Sequence, residues 1–234
     1  MTEQIKKVVS ELRKQGRVSA VMPFDMNSAG IFVFDFTSQN AELAGVDFTD
    51  VDAFNAYVFG LLERKQAIAG IGRYDEDRVI YQSQLFIESG KPARTVHLGI
   101  DIWTKPGTKV FAPVEGIVHS YANNANYLDY GPTIVLEHEV AQVKFFTLYG
   151  HLSKDSLDGL AEGASILSGQ EIARVGNYPV NGTWPPHLHF QIMSDMLGKR
   201  GDYPGVCSLE EREKYLALCP DPNIILGIER LIGN

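Results

Sequence analysis

From Arg94 to Met193 the chain is cut by glycines at 107, 116, 131, 150, 163, 169 and 176 into short apolar runs. Runs of this length, rich in β-branched and aromatic residues and closed by turn residues, form strands joined by tight connections, so the segment predicts an antiparallel β architecture. The flanks read differently. Ile5, Val8, Val9 and Leu12 fall at helical spacing ahead of Gly16, which predicts an amphipathic helix over residues 3–15 that packs on a sheet. Residues 18–24 and 30–36 read as strands joined by a turn, and Thr49-x-x-Asp52 reads as the start of a second helix ending near 67–70. Residues 79–87 read as a strand, preceded by Asp75-Glu76-Asp77, an acidic run expected in a solvated loop. Beyond Met196 come a loop, a helix over 209–218, a Pro220-Asp221-Pro222 stop and a short apolar helix.

The expected fold class is therefore α+β, mostly antiparallel β. It has an N-terminal α+β module over residues 1–90, a β core over 91–195 and a C-terminal loop and helical tail over 196–234. With no Pro- or Ser-rich linker between the first two, the N-terminal module is expected to pack on the core, where it can cover part of a cleft.

Charge narrows the partners. The chain carries 29 acidic against 21 basic residues, a formal net charge of −8, without a lysine or arginine run. Nucleic acid, anionic lipid and polyanionic cell-wall polymers are poor electrostatic matches for such a surface. The first 16 residues lack the apolar region of a signal peptide, and no later run approaches the ~20 apolar residues of a membrane span. As written, the sequence is expected to be cytoplasmic, and periplasmic or secreted only if a leader has been removed. Its two cysteines, Cys207 and Cys219, flank text that opens like a capping box at Ser208-x-x-Glu211. A continuous helix between them would hold them about 18 Å apart, well past the ~7 Å limit for a bridge. Two free thiols are expected.

Four of the six histidines lie in three short segments: His97-Leu98-Gly99-Ile100-Asp101, Tyr149-Gly150-His151-Leu152 and Pro185-Pro186-His187-Leu188-His189-Phe190. In an extended strand His187 and His189 share a face, their Cα atoms roughly 6.6 Å apart, and can converge on one small target. His97 and Asp101 also share a face, but a straight strand would separate them by about 13 Å, so the chain must bend between them, and Gly99 is where it can. Two histidines and a carboxylate, with a further position left for water, make the composition of a catalytic zinc site. Two more histidines would then be free for acid–base or electrostatic work. No H-E-x-x-H occurs, so no helical glutamate base is on offer. His119 and His138 have no partner at ligand spacing and read as structural or solvated.

The text around these segments resembles the M23 (lysostaphin or LytM-type) zinc metallopeptidases. The resemblance rests on His97-x-x-x-Asp101, Tyr149-Gly150-His151-Leu152 and His187-x-His189, in order. Gly107-Thr-Lys-Val-Phe-Ala-Pro113, Glu115-Gly-Ile-Val118 and Ser168-Gly-Gln-Glu-Ile-Ala173 extend it over about residues 91–195. Segments such as Trp184-Pro-Pro-His187 and Pro220-Asp-Pro-Asn223 look closest to an M23 branch found in fusion proteins beside a kinase-like phosphotransferase and a class III aminotransferase. The resemblance implies a β-sandwich core of the duplicated-hybrid-motif kind and one Zn²⁺ per chain held by His97, Asp101 and His189. It also implies His151 and His187 as the catalytic pair, and endopeptidase activity on small-residue peptides, typically in peptidoglycan. The chain departs from secreted members at Asn177–Trp184, longer and more aromatic than their usual turn. Tyr178, Asn181 and Trp184 are thus candidate substrate contacts, unless Trp184 packs the loop rigid. The expected substrate is a short peptide or small amide, in preference to intact peptidoglycan. The competing readings are a non-catalytic binding or regulatory module, and a small-amide-binding domain of a metabolic multi-domain assembly. Nucleic acid and membrane are not expected partners, and the sequence leaves the oligomeric state open.

Overall fold

A computed structural model describes residues 1–81, 86–87, 90 and 92–232. The helix α1 (Thr2–Lys14) is followed by β1 (Ile31–Val33), α2 (Val51–Arg64) and β2 (Ala69–Gly72). The central strands are β3 (Arg94–His97), β4 (Ile100–Trp103), β5 (Lys109–Phe111), β6 (Gly116–Asn124), β7 (Gly131–Val140), β8 (Val143–Gly150), β9 (Ser165–Ile166), β10 (Glu171–Arg174) and β11 (His187–Met193). The chain closes with β12 (Val206–Ser208), α3 (Arg212–Leu218) and α4 (Asn223–Leu226). Eight strands make one sheet in the order β1-β2-β4-β11-β8-β7-β6-β9, antiparallel except for the β1–β2 pair. Two ribbons, β5–β10 and β3–β12, complete the mostly antiparallel β architecture.

Alternation along the strands divides the sheet into two chemically distinct faces. On one, Ile100 and Ile102 of β4 and Leu188, Phe190 and Ile192 of β11 join the largest apolar cluster. Ile5, Val9 and Leu12 of α1, Val110 and Ile172 of the β5–β10 ribbon and Ile225 of α4 cover them. On the other face Asp101 of β4 and His187, His189 and Gln191 of β11 are buried polar residues. The helical spacing of Ile5, Val9 and Leu12 therefore seals the apolar face, and the polar face is left to other elements.

Several local expectations are corrected. Residues 18–24 form no strand, because this segment makes only isolated backbone bonds to the β5 region (Ser19 N to Pro113 O, Phe111 N to Val21 O) and Pro23 has no N–H to extend a ladder. The second helix is capped by Asp50, whose carboxylate accepts from the N–H of Asp52 and Ala53, while the Thr49 hydroxyl donates to Asp47. It stops at Arg64, earlier than its spacing suggested, and the apolar residues that follow become β2. Residues 79–81 are turn and irregular chain where a strand was expected, and most of 82–87 lies outside the described residues. The Cys207–Cys219 interval is not one helix: Cys207 is in β12 and a seven-residue α3 precedes Cys219. Both thiols are nonetheless free and buried.

Nor is there a break in hydrogen bonding between the first 90 residues and the core. Strand β2 pairs directly with β4, and Phe34, Phe36 and Phe54 pack around Trp103 at ring-centroid distances of 5.5–6.3 Å.

Candidate metal centre

The register across four strands assembles the centre. Asp101 of β4 pairs with His189 of β11, and this row is flanked by Gly72 of β2 and Gly150 of β8. The two glycines leave room that side chains use. A Cβ at Gly72 would lie 2.7 Å from Arg78 Nη2, and one at Gly150 would lie 2.5 Å from the Tyr130 ring. His97 reaches the same place because the chain breaks strand structure at Leu98 and Gly99, so that β3 and β4 belong to different sheets. The bend expected at Gly99 is there.

His97 Nε2, His189 Nδ1 and Asp101 Oδ1 meet at one point. The separations are 3.0 Å between the two nitrogens, 3.2 Å from His97 Nε2 to the carboxylate oxygen and 3.0 Å from His189 Nδ1 to it. Two donors on a common tetrahedral zinc lie about 3.3 Å apart. The tautomers decide what these atoms can do. His97 Nδ1 is 2.9 Å from the Arg73 carbonyl, which can only accept, so the proton of a neutral ring sits there and Nε2 is bare. His189 Nε2 is 2.8 Å from Gln191 Oε1, and the amide nitrogen of Gln191 donates to Pro204 O and Cys219 Sγ. That fixes the amide, puts the His189 proton on Nε2 and leaves Nδ1 bare. Burial lowers the His97 pKa to about 3, with the Arg78 charge acting the same way, so the ring is neutral. Burial works against ionisation of Asp101, but the Arg78 guanidinium beside it helps hold the carboxyl well below its usual range. Two bare nitrogen lone pairs and an anionic oxygen thus face one another in a buried space, an arrangement that a cation completes. These residues fit a divalent metal, and they are the one group of this kind among the described residues.

His151 and His187 stand beside the three, their ring centroids 4.2 Å apart. His187 Nδ1 donates to Pro185 O at 2.8 Å, and its ring stacks on Trp103, its cross-strand partner, at 4.0 Å. His151 follows β8 with a left-handed backbone, φ 61°. Its N–H donates to Tyr130 O, its C=O accepts from Gly176 N–H, and Nδ1 donates to Asn181 O at 2.9 Å. A non-glycine residue in this region costs about 1–3 kcal/mol and persists where its surroundings dictate it. Burial lowers both histidines' pKa values, His187 to about 4 and His151 well below 6.5. With Nδ1–H committed in each, Nε2 is the atom left for chemistry.

The centre lines a cleft of about 580 Å³. Its walls come from three places: Ile80, Tyr81 and Phe86 of the N-terminal segment, the chain at 126–130, and the chain at 202–206. Of the expected substrate contacts only Trp184 lines it, and its buried indole N–H has no protein partner. Asn181 is fully buried, its amide bonded to the Trp184 backbone and its carbonyl orienting His151. Tyr178 lies outside the cleft walls, with its hydroxyl donating to Asp52. The acidic run is corrected too: Asp75 pairs with Arg212, but Glu76 is buried and binds Arg78 and the Phe36 N–H. Sequence reasoning missed Arg78, Tyr130 and Gln191. Gln191 was within reach, since it continues the His187, His189 face of the same strand. His138 proves structural, with Nδ1 donating to Glu115 O and Nε2 lying 2.7 Å from Thr147 Oγ1.

An antiparallel sheet carries a two-histidine, one-carboxylate group with two further imidazoles at its side, the donor composition of a catalytic metal site. Residues 95–201, a little under half of the chain, match the sequence model of peptidase family M23. A protein named "Uncharacterized metalloprotease" from Haemophilus influenzae is 33% identical over 96 residues, a match spanning 41% of this chain but only 18% of that protein. Among solved structures, the catalytic domain of lysostaphin from Staphylococcus simulans is 28% identical, over 57% of this chain and 80% of that one, with a TM-score of 0.38. A zinc-containing peptidase from Vibrio cholerae is 30% identical over 42% of this chain and 27% of that one, with a TM-score of 0.34. No helix among the described residues is long and apolar enough to cross a membrane.

Proposed function

We propose that this chain is a zinc-dependent metallopeptidase that hydrolyses the amide bond of a short peptide or small amide. The observation that carries the reading is the set of three bare donor atoms, His97 Nε2, Asp101 Oδ1 and His189 Nδ1, with two imidazoles beside them whose Nε2 atoms are uncommitted. A zinc ion held by these donors would supply a Lewis acid for the substrate carbonyl and a more acidic water at neutral pH. His151 and His187, neutral at rest with the ring proton on Nδ1, can each accept a proton at Nε2 and, once protonated there, deliver it. One is suited to the departing amine and the other to stabilising the developing oxyanion. Trp103 and the Pro185 carbonyl keep the His187 ring in place for this, and the Asn181 carbonyl does so for His151. Residues 80, 81 and 86 wall the cleft on one side, which supports a compact substrate over a long polymer.

The test offers zinc-loaded protein short glycine- and alanine-containing peptides, soluble muropeptides and intact peptidoglycan in parallel. Cleavage of the short substrates is expected. His151→Ala and His187→Ala should keep the metal and lose turnover by about 10²- to 10⁴-fold, whereas His189→Ala should lose both. Cleavage of intact peptidoglycan alone would overturn the substrate assignment. No cleavage of any substrate by metal-loaded protein would favour a binding module.

A further inference from the structure

Arg78 has a side chain with no solvent exposure. A guanidinium is kept in such a place only when its donors are matched, because an unpaired buried charge is strongly unfavourable. Its Nε donates to Glu76 Oε2 at 2.9 Å, Nη1 donates to Asp101 Oδ2 at 2.6 Å and to the Tyr81 hydroxyl at 3.2 Å, and Nη2 donates to the Arg73 carbonyl at 2.9 Å. That carbonyl is the same one that accepts from His97 Nδ1. Two of the three candidate ligands are thus oriented from residues 73–81, a segment that lies before the family-matched region at 95–201. The third, His189, is oriented from within its own strand by Gln191.

We infer that Arg78 is the positioning residue of this metal centre, holding Oδ2 of Asp101 so that only Oδ1 is presented to the ion. The inference rests on the metal-site reading above. The physical consequences are two. A carboxylate engaged through one oxygen by a guanidinium is held to single-oxygen coordination in a fixed orientation. It also donates less negative charge to the ion, which leaves the ion a stronger Lewis acid. Lysine could replace the charge but not the geometry, since the fork bonds Glu76, Asp101 and Arg73 at once. Glu76 serves the guanidinium and is in turn held by the Phe36 N–H, so its own role is to keep Arg78 seated.

The experiment compares full-length wild type, Arg78→Lys, Arg78→Met and Glu76→Gln. Each is first checked for folding by circular dichroism in the metal-free state. Zinc affinity is then measured by competition with a chromophoric chelator, and the cobalt-substituted proteins are compared by visible absorption, which reports how the carboxylate coordinates. Both Arg78 variants should bind zinc about 10- to 100-fold more weakly and shift the cobalt spectrum. Glu76→Gln, which loosens Arg78 but leaves its contact to Asp101 available, should melt at lower temperature and lose less zinc affinity than either Arg78 variant. Should Arg78→Met fail to fold, Arg78→Lys decides the matter. Arg78 variants that bind as wild type does, or a Glu76→Gln loss equal to theirs, would overturn the assignment. A wild-type protein that takes up no zinc or cobalt would instead refute the metal-site reading beneath it.

Discussion

His138 isolates what burial does to an imidazole away from the cleft. It is fully buried in β7, stacked on Phe145 with ring centroids 4.9 Å apart, and burial lowers its pKa to about 4. The unfolded chain has an ordinary histidine near 6.5 at this position and therefore binds the extra proton more readily. The contribution of neutral His138 is fully present above about pH 6.5 and is lost as pH falls toward 4, on the order of 3 kcal/mol across that window. For metal-free protein, the loss of stability between pH 6.5 and 4 should be shallower in His138→Gln than in wild type, as read by urea denaturation at several pH values. Parallel pH dependences would show that His138 does not carry this linkage. At this scale the grouping of candidate donors was legible, since alternation along a strand is a local property that places His187 and His189 together without further information. Arg78 was not. Its partner Asp101 lies 23 residues away, and an arginine after an acidic run looks like surface until the strand pairing buries it.

Between β3 and β4 the chain must turn sharply at the point where His189 packs, and Gly99 makes that possible. A Cβ there would lie 2.6 Å from His189 Cε1 and Nε2 and 2.8 Å from Phe190 O. Neither the imidazole, which is tied to Gln191, nor the strand backbone can withdraw. Gly99→Ala is expected to destabilise the fold by roughly 1–3 kcal/mol and, on the proposed reading of the site, to weaken zinc binding by displacing His189. A thermal melt and a chelator competition measure the two effects, and wild-type affinity in a folded Gly99→Ala protein would contradict the account. Element reading from sequence succeeded where periodicity was strong, as in α1, and where glycines cut the central strands. It failed for residues 18–24 and for β2. A segment's apolar pattern does not tell whether a neighbouring backbone will offer a continuous ladder, and the same apolar residues can finish a helix or start a strand.

Across the whole molecule, β1 and β2 belong to the same sheet as the strands of the candidate metal centre, and the aromatic group around Trp103 ties α2 to it. The thiols can report on this. Cys207 and Cys219 are buried in one apolar cluster with Val96, Tyr203 and Leu148, and burial pushes their pKa values up to about 11 and about 12. Neither should react with a thiol reagent in the folded protein, and both should react together on unfolding, at a rate that follows loss of the sheet. Labelling of native protein with mass detection provides the check. One thiol reacting quickly in the native state would mean that the C-terminal segment opens on its own.

The sequence by itself determined which chemistry is available and roughly where along the chain it sits. Ligand types, two-residue and four-residue spacings, glycine breaks and the resemblance they carry are all local text, and the forces that read them, side-chain alternation and turn sterics, act within a few residues. The tertiary structure decided how that chemistry is held. Tautomers at His97 and His189, the backbone carbonyl that orients His151 and the buried fork of Arg78 depend on atoms brought together by sheet register. Register is settled by burying one whole face of the sheet, which is a property of the complete chain.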